Sequence, residues 1–149
     1  GMGLAMTTQQ RFADAAGYYE RALSLKPAYP VGLLVNLAGA LDSQGKRLDA
    51  EKQYREALRM EPQNGMALVN LGLLLLQRGE VTEAVAQLQK AVQAQPESAR
   101  AHLGLALALE KSKPAEAVIH FQEVLRIESG NEIARRHLKT LAAQEERSP

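Results

Sequence analysis

Apolar residues fall along this chain in paired runs separated by short polar breaks, and most pairs close on a proline. From Met66 to Leu76 nearly every residue is apolar, Gln77-Arg78-Gly79-Glu80 interrupts, and a second segment carries Val81, Ala84, Val85, Leu88, Ala91 and Val92. Steps of three and four place those side chains on one face of an amphipathic helix. Gly79 suits the left-handed residue that closes a helix, and Glu80 and Glu83 suit the positive N-terminal end of the next one. Pro96 stops it. The stretch 65–96 therefore predicts helix, turn, helix, stop.

The unit recurs. Leu71-Gly72 has counterparts in Leu37-Ala38 and Leu105-Ala106, 34 residues to either side. Ala84 matches Ala15, Ala50 and Ala117; Leu88 matches Tyr19, Tyr54 and Phe121; Ala91 matches Ala22, Ala57 and Val124. Pro96 matches Pro27 and Pro62, with Ser129 at the next place. A period near 34 in a helix–turn–helix unit is the signature of a stacked array. Small residues where helices cross let backbones approach, and the large residues between them fill the gaps.

These positions resemble the tetratricopeptide repeat family: the Leu-small pair, Gly45 and Gly79 between helices, alanines at 15, 50, 84 and 117, the large residue four later, and the closing proline. The resemblance spans roughly the whole chain. It implies an all-α fold, a right-handed solenoid of antiparallel helix pairs with a C-terminal capping helix. The expected divisions are an incomplete first repeat (1–30), repeats at 31–64, 65–98 and 99–130, and a capping helix at 131–146.

Composition narrows the chemistry. Hydrophobic residues make up 46% and aromatic residues 4%, a Leu/Ala/Val core that suits close-packed helices over a sheet. A formal net charge of +1 argues against a phosphate-tracking surface, so RNA binding is the weakest reading. The absence of cysteine removes disulfides, thiol catalysis and cysteine–zinc sites, and leaves the compartment undecided. The apolar run 66–76 is far short of the roughly 20 residues of a membrane span. No basic segment followed by an apolar one marks a signal peptide, which favours the cytoplasm. Gly1 before Met2 reads as a tag-cleavage scar, so an upstream signal or domain stays open.

In chain order, residues 2–8 align with only the end of a first helix, and a full second helix is expected over about 12–25. Met2, Leu4, Met6 and Phe12 are then candidates for a self-association or domain-docking edge, with a frayed terminus as the alternative. The turn 111–114 has lost a residue and its glycine, but Pro114 suits the first turn of a following helix. In the last helix Ile133, Ala134, Leu138, Leu141 and Ala142 are expected to face inward. Lys139 stands where the repeats have Gly or Ala, which would solvate the end of the array.

In the family resembled, first helices line a concave face. That implies a groove of Gly32, Val35, Asn36, Gly39 and Asp42; then Met66, Val69, Asn70, Leu73 and Leu76; then Arg100, Leu103, Gly104, Leu107 and Glu110, with Arg136 and His137 from the cap. Asn36 and Asn70 recur in register. Matching asparagines in the O-linked N-acetylglucosamine transferase superhelix form a ladder that holds a peptide backbone, since an amide both donates and accepts. The alternative is that Asn is simply common at this place in the repeat. Val35, Val69, Leu73, Leu76, Leu103 and Leu107 are expected to form an apolar stripe for an extended segment or amphipathic helix, unless several are buried between helices. A terminal-carboxylate clamp of the kind found in chaperone-tail-binding members is disfavoured. Only Asn70 and Arg100 match it, and Val35, Gly39 and Gly104 fill the other places.

His102 aligns with Leu34 and Leu68, so packing is its default role. No His, Asp or Glu spacing suggests a metal, no triad can be assembled, and no phosphate loop is visible, so no cofactor is expected. The reading is a non-catalytic protein–protein interaction scaffold binding a protein or peptide segment through Val35, Asn36, Met66, Val69, Asn70, Leu73, Arg100, Leu103 and Leu107. The alternative is an accessory or oligomerisation module of a larger enzyme, secretion or assembly factor, acting through its N-terminal edge, including as a homo-oligomer.

Overall fold

A computed structural model describes residues 2–147, with side chains from residue 9 onward. Among the described residues there are eight α-helices and no strand: α1 (Met2–Ser24), α2 (Val31–Ser43), α3 (Arg47–Met60), α4 (Gly65–Gln77), α5 (Val81–Ala94), α6 (Ala99–Leu109), α7 (Pro114–Ile127) and α8 (Glu132–Glu145). The helices pack in chain order as hairpins, α2 with α3, α4 with α5 and α6 with α7, and each hairpin stacks on the next.

The punctuation is local chemistry repeated. Two hairpin turns close through a left-handed glycine, Gly45 at φ 78° and Gly79 at φ 80°. In the first, the Gly45 N–H donates to the Asp42 carbonyl at 2.8 Å and the Lys46 N–H to the Leu41 carbonyl at 2.9 Å. In the second, Gly79 donates to Leu76 at 3.0 Å and Glu80 to Leu75 at 2.9 Å. Both are Schellman closures, which satisfy carbonyls at the helix end. The α6–α7 turn lacks the glycine. Instead the Lys113 N–H donates to the Leu109 carbonyl at 2.7 Å, and Pro114, with no N–H to leave unpaired, opens α7. At the start of α4, α6 and α8, the side chains of Asn64, Ser98 and Asn131 accept from the backbone N–H groups of Ala67 (3.0 Å), Ala101 (3.2 Å) and Ala134 (3.0 Å). Each such cap is worth about 1 kcal/mol.

The first segment departs from expectation. The helix end at 2–8 and the separate helix from about 12 are one continuous α1 of 23 residues. The 35-residue register puts Gln10 where the second repeat has Gly45. Without a residue suited to positive φ there, helical hydrogen bonding runs on. Phe12, expected at an exposed edge, is half-buried, and its carbonyl accepts from the Gln44 amide at 3.2 Å. The side chains of Met2, Leu4 and Met6 lie outside the described residues.

One packing device recurs along the core. A large side chain from each second helix is buried under the first helix of the following unit: Tyr54 at 2% exposure, Leu88 at 0% and Phe121 at 0%. In register beneath them stand Asn70, Gly104 and His137. Tyr54 meets the Asn70 amide, Leu88 lies against Gly104, and Phe121 stacks on the His137 ring at 5.2 Å and 20°. The last contact, with the His137 Nδ1–Glu110 Oε1 hydrogen bond of 2.6 Å, docks α8. Ala134 and Leu141 of α8 are buried, as expected. Ile133, at 42% exposure, and Ala142 are exposed, contrary to expectation, because the face centred on 134, 138 and 141 turns them aside and draws in His137.

Candidate functional site

The first helices approach one another more closely than the second helices do. α2 contacts α4 and α4 contacts α6, whereas α3, α5 and α7 make no comparable contacts among themselves. An array packed tighter on one layer curves toward that layer, so α2, α4 and α6 line the inner face. Three rows of side chains cross it at 34-residue spacing: Gly32, Met66 and Arg100; Asn36, Asn70 and Gly104; Gly39, Leu73 and Leu107.

Exposure sorts the residues expected in the groove. Asn36 and Arg100 are exposed, Met66 is 58% exposed, and Asn70, Leu73, Leu103 and Leu107 are half-buried. Val35 and Val69 are each only 4% exposed and belong to the core, so the apolar stripe does not include them. Successive residues of a helix stand about 100° apart, and here Val35 turns toward the neighbouring helix while Asn36 stays exposed. The neighbouring first helix covers the valine: α4 lies against α2, and α6 against α4. Leu103, in the same register, stays partly accessible because only the cap follows α6. The apolar surface that remains is Met66, Leu73, Leu103 and Leu107, with Leu76 at its edge.

The polar part of the wall centres on Asn70. Its Oδ1 is buried and, among the described residues, is the one buried side-chain oxygen or nitrogen without a hydrogen-bond partner. Such an atom costs about 1–3 kcal/mol. Beneath it sits Tyr54, whose hydroxyl is pushed up to about 12, first by burial and then by the Asp42 carboxylate. The Arg100 charge and the Asn70 amide act in the opposite direction. Asp42 lies 3.9 Å from Arg47 in a loose ion pair. Of the cap residues, Arg136 is exposed, while His137 is half-buried and engaged with Glu110.

Among the described residues no group of three or more His, Cys, Asp or Glu side chains is placed to hold a metal ion. No helix among them is long and apolar enough to cross a membrane. Sequence reasoning missed the Tyr54–Asn70 contact. The signal available was that position 54, like position 19, carries a hydroxylated member of the large-residue series, and position 70 carries an amide where the next repeat has Gly104.

The comparisons agree with this architecture. The sequence profile described as "Tetratricopeptide repeat" matches residues 35–99 and 81–132, together well over half of the chain. No curated protein matches. Among solved structures, MamA from residue 41 to its end, from Desulfovibrio magneticus RS-1, is 20% identical with a TM-score of 0.81, over 97% of this chain and 85% of that one. YrrB, described as having an unusual peptide-binding site, is 20% identical with a TM-score of 0.75, over 95% of this chain and 73% of that one. The first tetratricopeptide domain of Spaghetti (RPAP3), bound to the HSP90 peptide SRMEEVD, is 20% identical with a TM-score of 0.74, over 76% of this chain and 91% of that one. At such identities the likeness speaks for the fold alone. The repeat register, the stacked hairpins and the profile match agree: this chain belongs to the tetratricopeptide repeat family.

Proposed function

We propose that this protein is a non-catalytic interaction scaffold whose inner face takes a peptide or helical segment of a partner protein. The observation that carries the reading is the half-exposed aliphatic surface of Leu73, Leu103 and Leu107 on the inner face, flanked by the exposed Asn36, Met66 and Arg100. An apolar wall edged by amide and cationic side chains suits a segment that brings apolar side chains to the one and polar groups to the others. Asn36 and Met66 extend the surface toward α2, and Arg100 offers a cation that suits an acidic group on the segment. Peptide binding by Spaghetti and YrrB, as their descriptions state it, supports the reading by analogy. Amide chemical-shift mapping with a peptide selected from a random-sequence display library tests it. Shifts clustered on α2, α4 and α6 support the groove; shifts confined to α3, α5 and α7 overturn it.

Self-association through the N-terminal side is a second reading, favoured by the exposure of Tyr18 (71%), Leu25 (83%) and Tyr29 (91%) around the end of α1. Light scattering at rising concentration tests it, and a constant monomer mass removes it.

A further inference from the structure

His102 is the one polar residue in the buried core among the described residues, at 6% exposure. Both of its ring nitrogens are engaged. Nε2 lies 2.9 Å from the Pro96 carbonyl oxygen, and Nδ1 lies 3.0 Å from Nδ1 of His120. A carbonyl only accepts, so Nε2 of His102 carries a proton and donates. In the neutral ring Nδ1 is then a lone pair, and the His120 Nδ1–H donates to it. The chain of donors runs from His120 on α7, through His102 on α6, to Pro96 in the α5–α6 loop. Three parts of the array are tied by one tautomeric arrangement.

That arrangement counts protons. One further proton fits on Nε2 of His120, which leaves the His120 Nδ1–H still donating to His102. A second would have to enter at His102 Nδ1, where two N–H groups would meet head-on at 3.0 Å, one of them in the core. The surroundings do not relieve this. Glu116 and Glu123 of α7 face His120, but Glu123 is held by Arg126, which also binds Glu97. α4 carries no ionisable residue; on α5 Glu83 pairs with Arg55 and the other charge is Lys90; on α8 His137 is engaged by Glu110. Burial, the largest cause, holds His120 below its ordinary range, and a charge on His102 acts in the same direction, so two protons on the pair oppose each other; Glu116 and Glu123 act the other way.

We propose that the His102–His120 pair is a proton-sensitive latch that joins α6, α7 and the α5–α6 loop when neutral or singly protonated and releases them on the second protonation. The unfolded chain binds two protons where the folded pair binds one. Stability is therefore fully present above the ordinary imidazole value of about 6.5 and is lost as the pH falls below it.

Imidazole nitrogen NMR on the intact protein from about pH 8 to about pH 5 tests this directly. The expected result is that the two rings together take one proton, and not two, for as long as the fold persists. The denaturation midpoint should fall over the same range, and by less in His102→Gln, which removes the second imidazole that only the unfolded chain protonates. Protonation of His102 Nδ1 in the folded protein alongside His120 overturns the latch, as does an undiminished acid loss in a folded His102→Gln. Should that variant not fold, the wild-type nitrogen shifts decide alone.

Discussion

Leu88 occupies the volume that a side chain on Gly72 would need. A Cβ built at Gly72 would lie 2.5 Å from Leu88 Cγ, the branch point of the side chain rather than its end. The same leucine reaches Gly104 on the next first helix, where a Cβ would lie 2.8 Å from Leu88 Cδ2 and 3.0 Å from Leu73 Cδ2. One aliphatic side chain of α5 thus sets the spacing of α4 and α6. Gly72→Leu should destabilise the protein by at least about 1–3 kcal/mol through overpacking. Gly104→Ala meets methyl ends that can rotate, and gains about 0.5–1 kcal/mol by leaving glycine, so it should be near neutral. Urea denaturation of the two variants checks the contrast; equal effects would mean that Leu88 does not set the crossing.

Tyr54 makes a related prediction at high pH. Its hydroxyl is pushed from the ordinary value of about 10 up to about 12, chiefly by burial. The fold favours the neutral phenol, so this contribution is fully present below about pH 10 and is lost as the pH rises toward 12. Two units correspond to about 3 kcal/mol at most. Tyr54→Phe should remove that part of the alkaline loss, seen in denaturation midpoints between about pH 9 and about pH 11. A variant as alkali-sensitive as the wild type would remove Tyr54 from the account.

Glu51 links the outer layer across two repeats. It hydrogen-bonds Arg55 at 2.8 Å and pairs with Arg78; Arg55 continues to Glu83 at 2.7 Å and Arg78 to Glu80 at 2.7 Å. Burial raises the Glu51 carboxyl, but the two arginines outweigh it and hold it below the usual carboxylate range. Its contribution is present above about pH 4.3 and fades as the pH falls further. Glu51→Gln should cost about 1.5–3 kcal/mol near neutral pH, the range for hydrogen bonds to charged groups. Thermal denaturation measures it, and an unchanged midpoint would show the network to be neutral.

Much of this was legible in the sequence because the repeat writes the same contacts several times. Leu37, Leu71 and Leu105, or Ala50, Ala84 and Ala117, reinforce one another as no single residue could. Where the register is broken, sequence reasoning lost its hold. Gln10 in the place of a turn glycine gave no positive signal that α1 would run through, and Val35 and Val69 looked available because adjacent apolar residues do not declare which one the next helix covers. The His102–His120 contact joins residues 18 apart on different helices, so only the hairpin packing brings it out. His137 looked like a groove residue by register, yet Phe121 and Glu110 draw it into the cap contact. For the candidate site, the family resemblance pointed to the first helices but not to which of their side chains stay open.

If the wall of α4 and α6 binds the segment, Leu73→Glu should disrupt that binding. The measurement is the affinity of a library-selected peptide for wild type and for the variant, with helical circular dichroism matched between them. At least about a tenfold loss is expected, because a carboxylate would be placed in the apolar centre of the contact. Equal affinity with matched helicity would contradict it and move the site off the inner face.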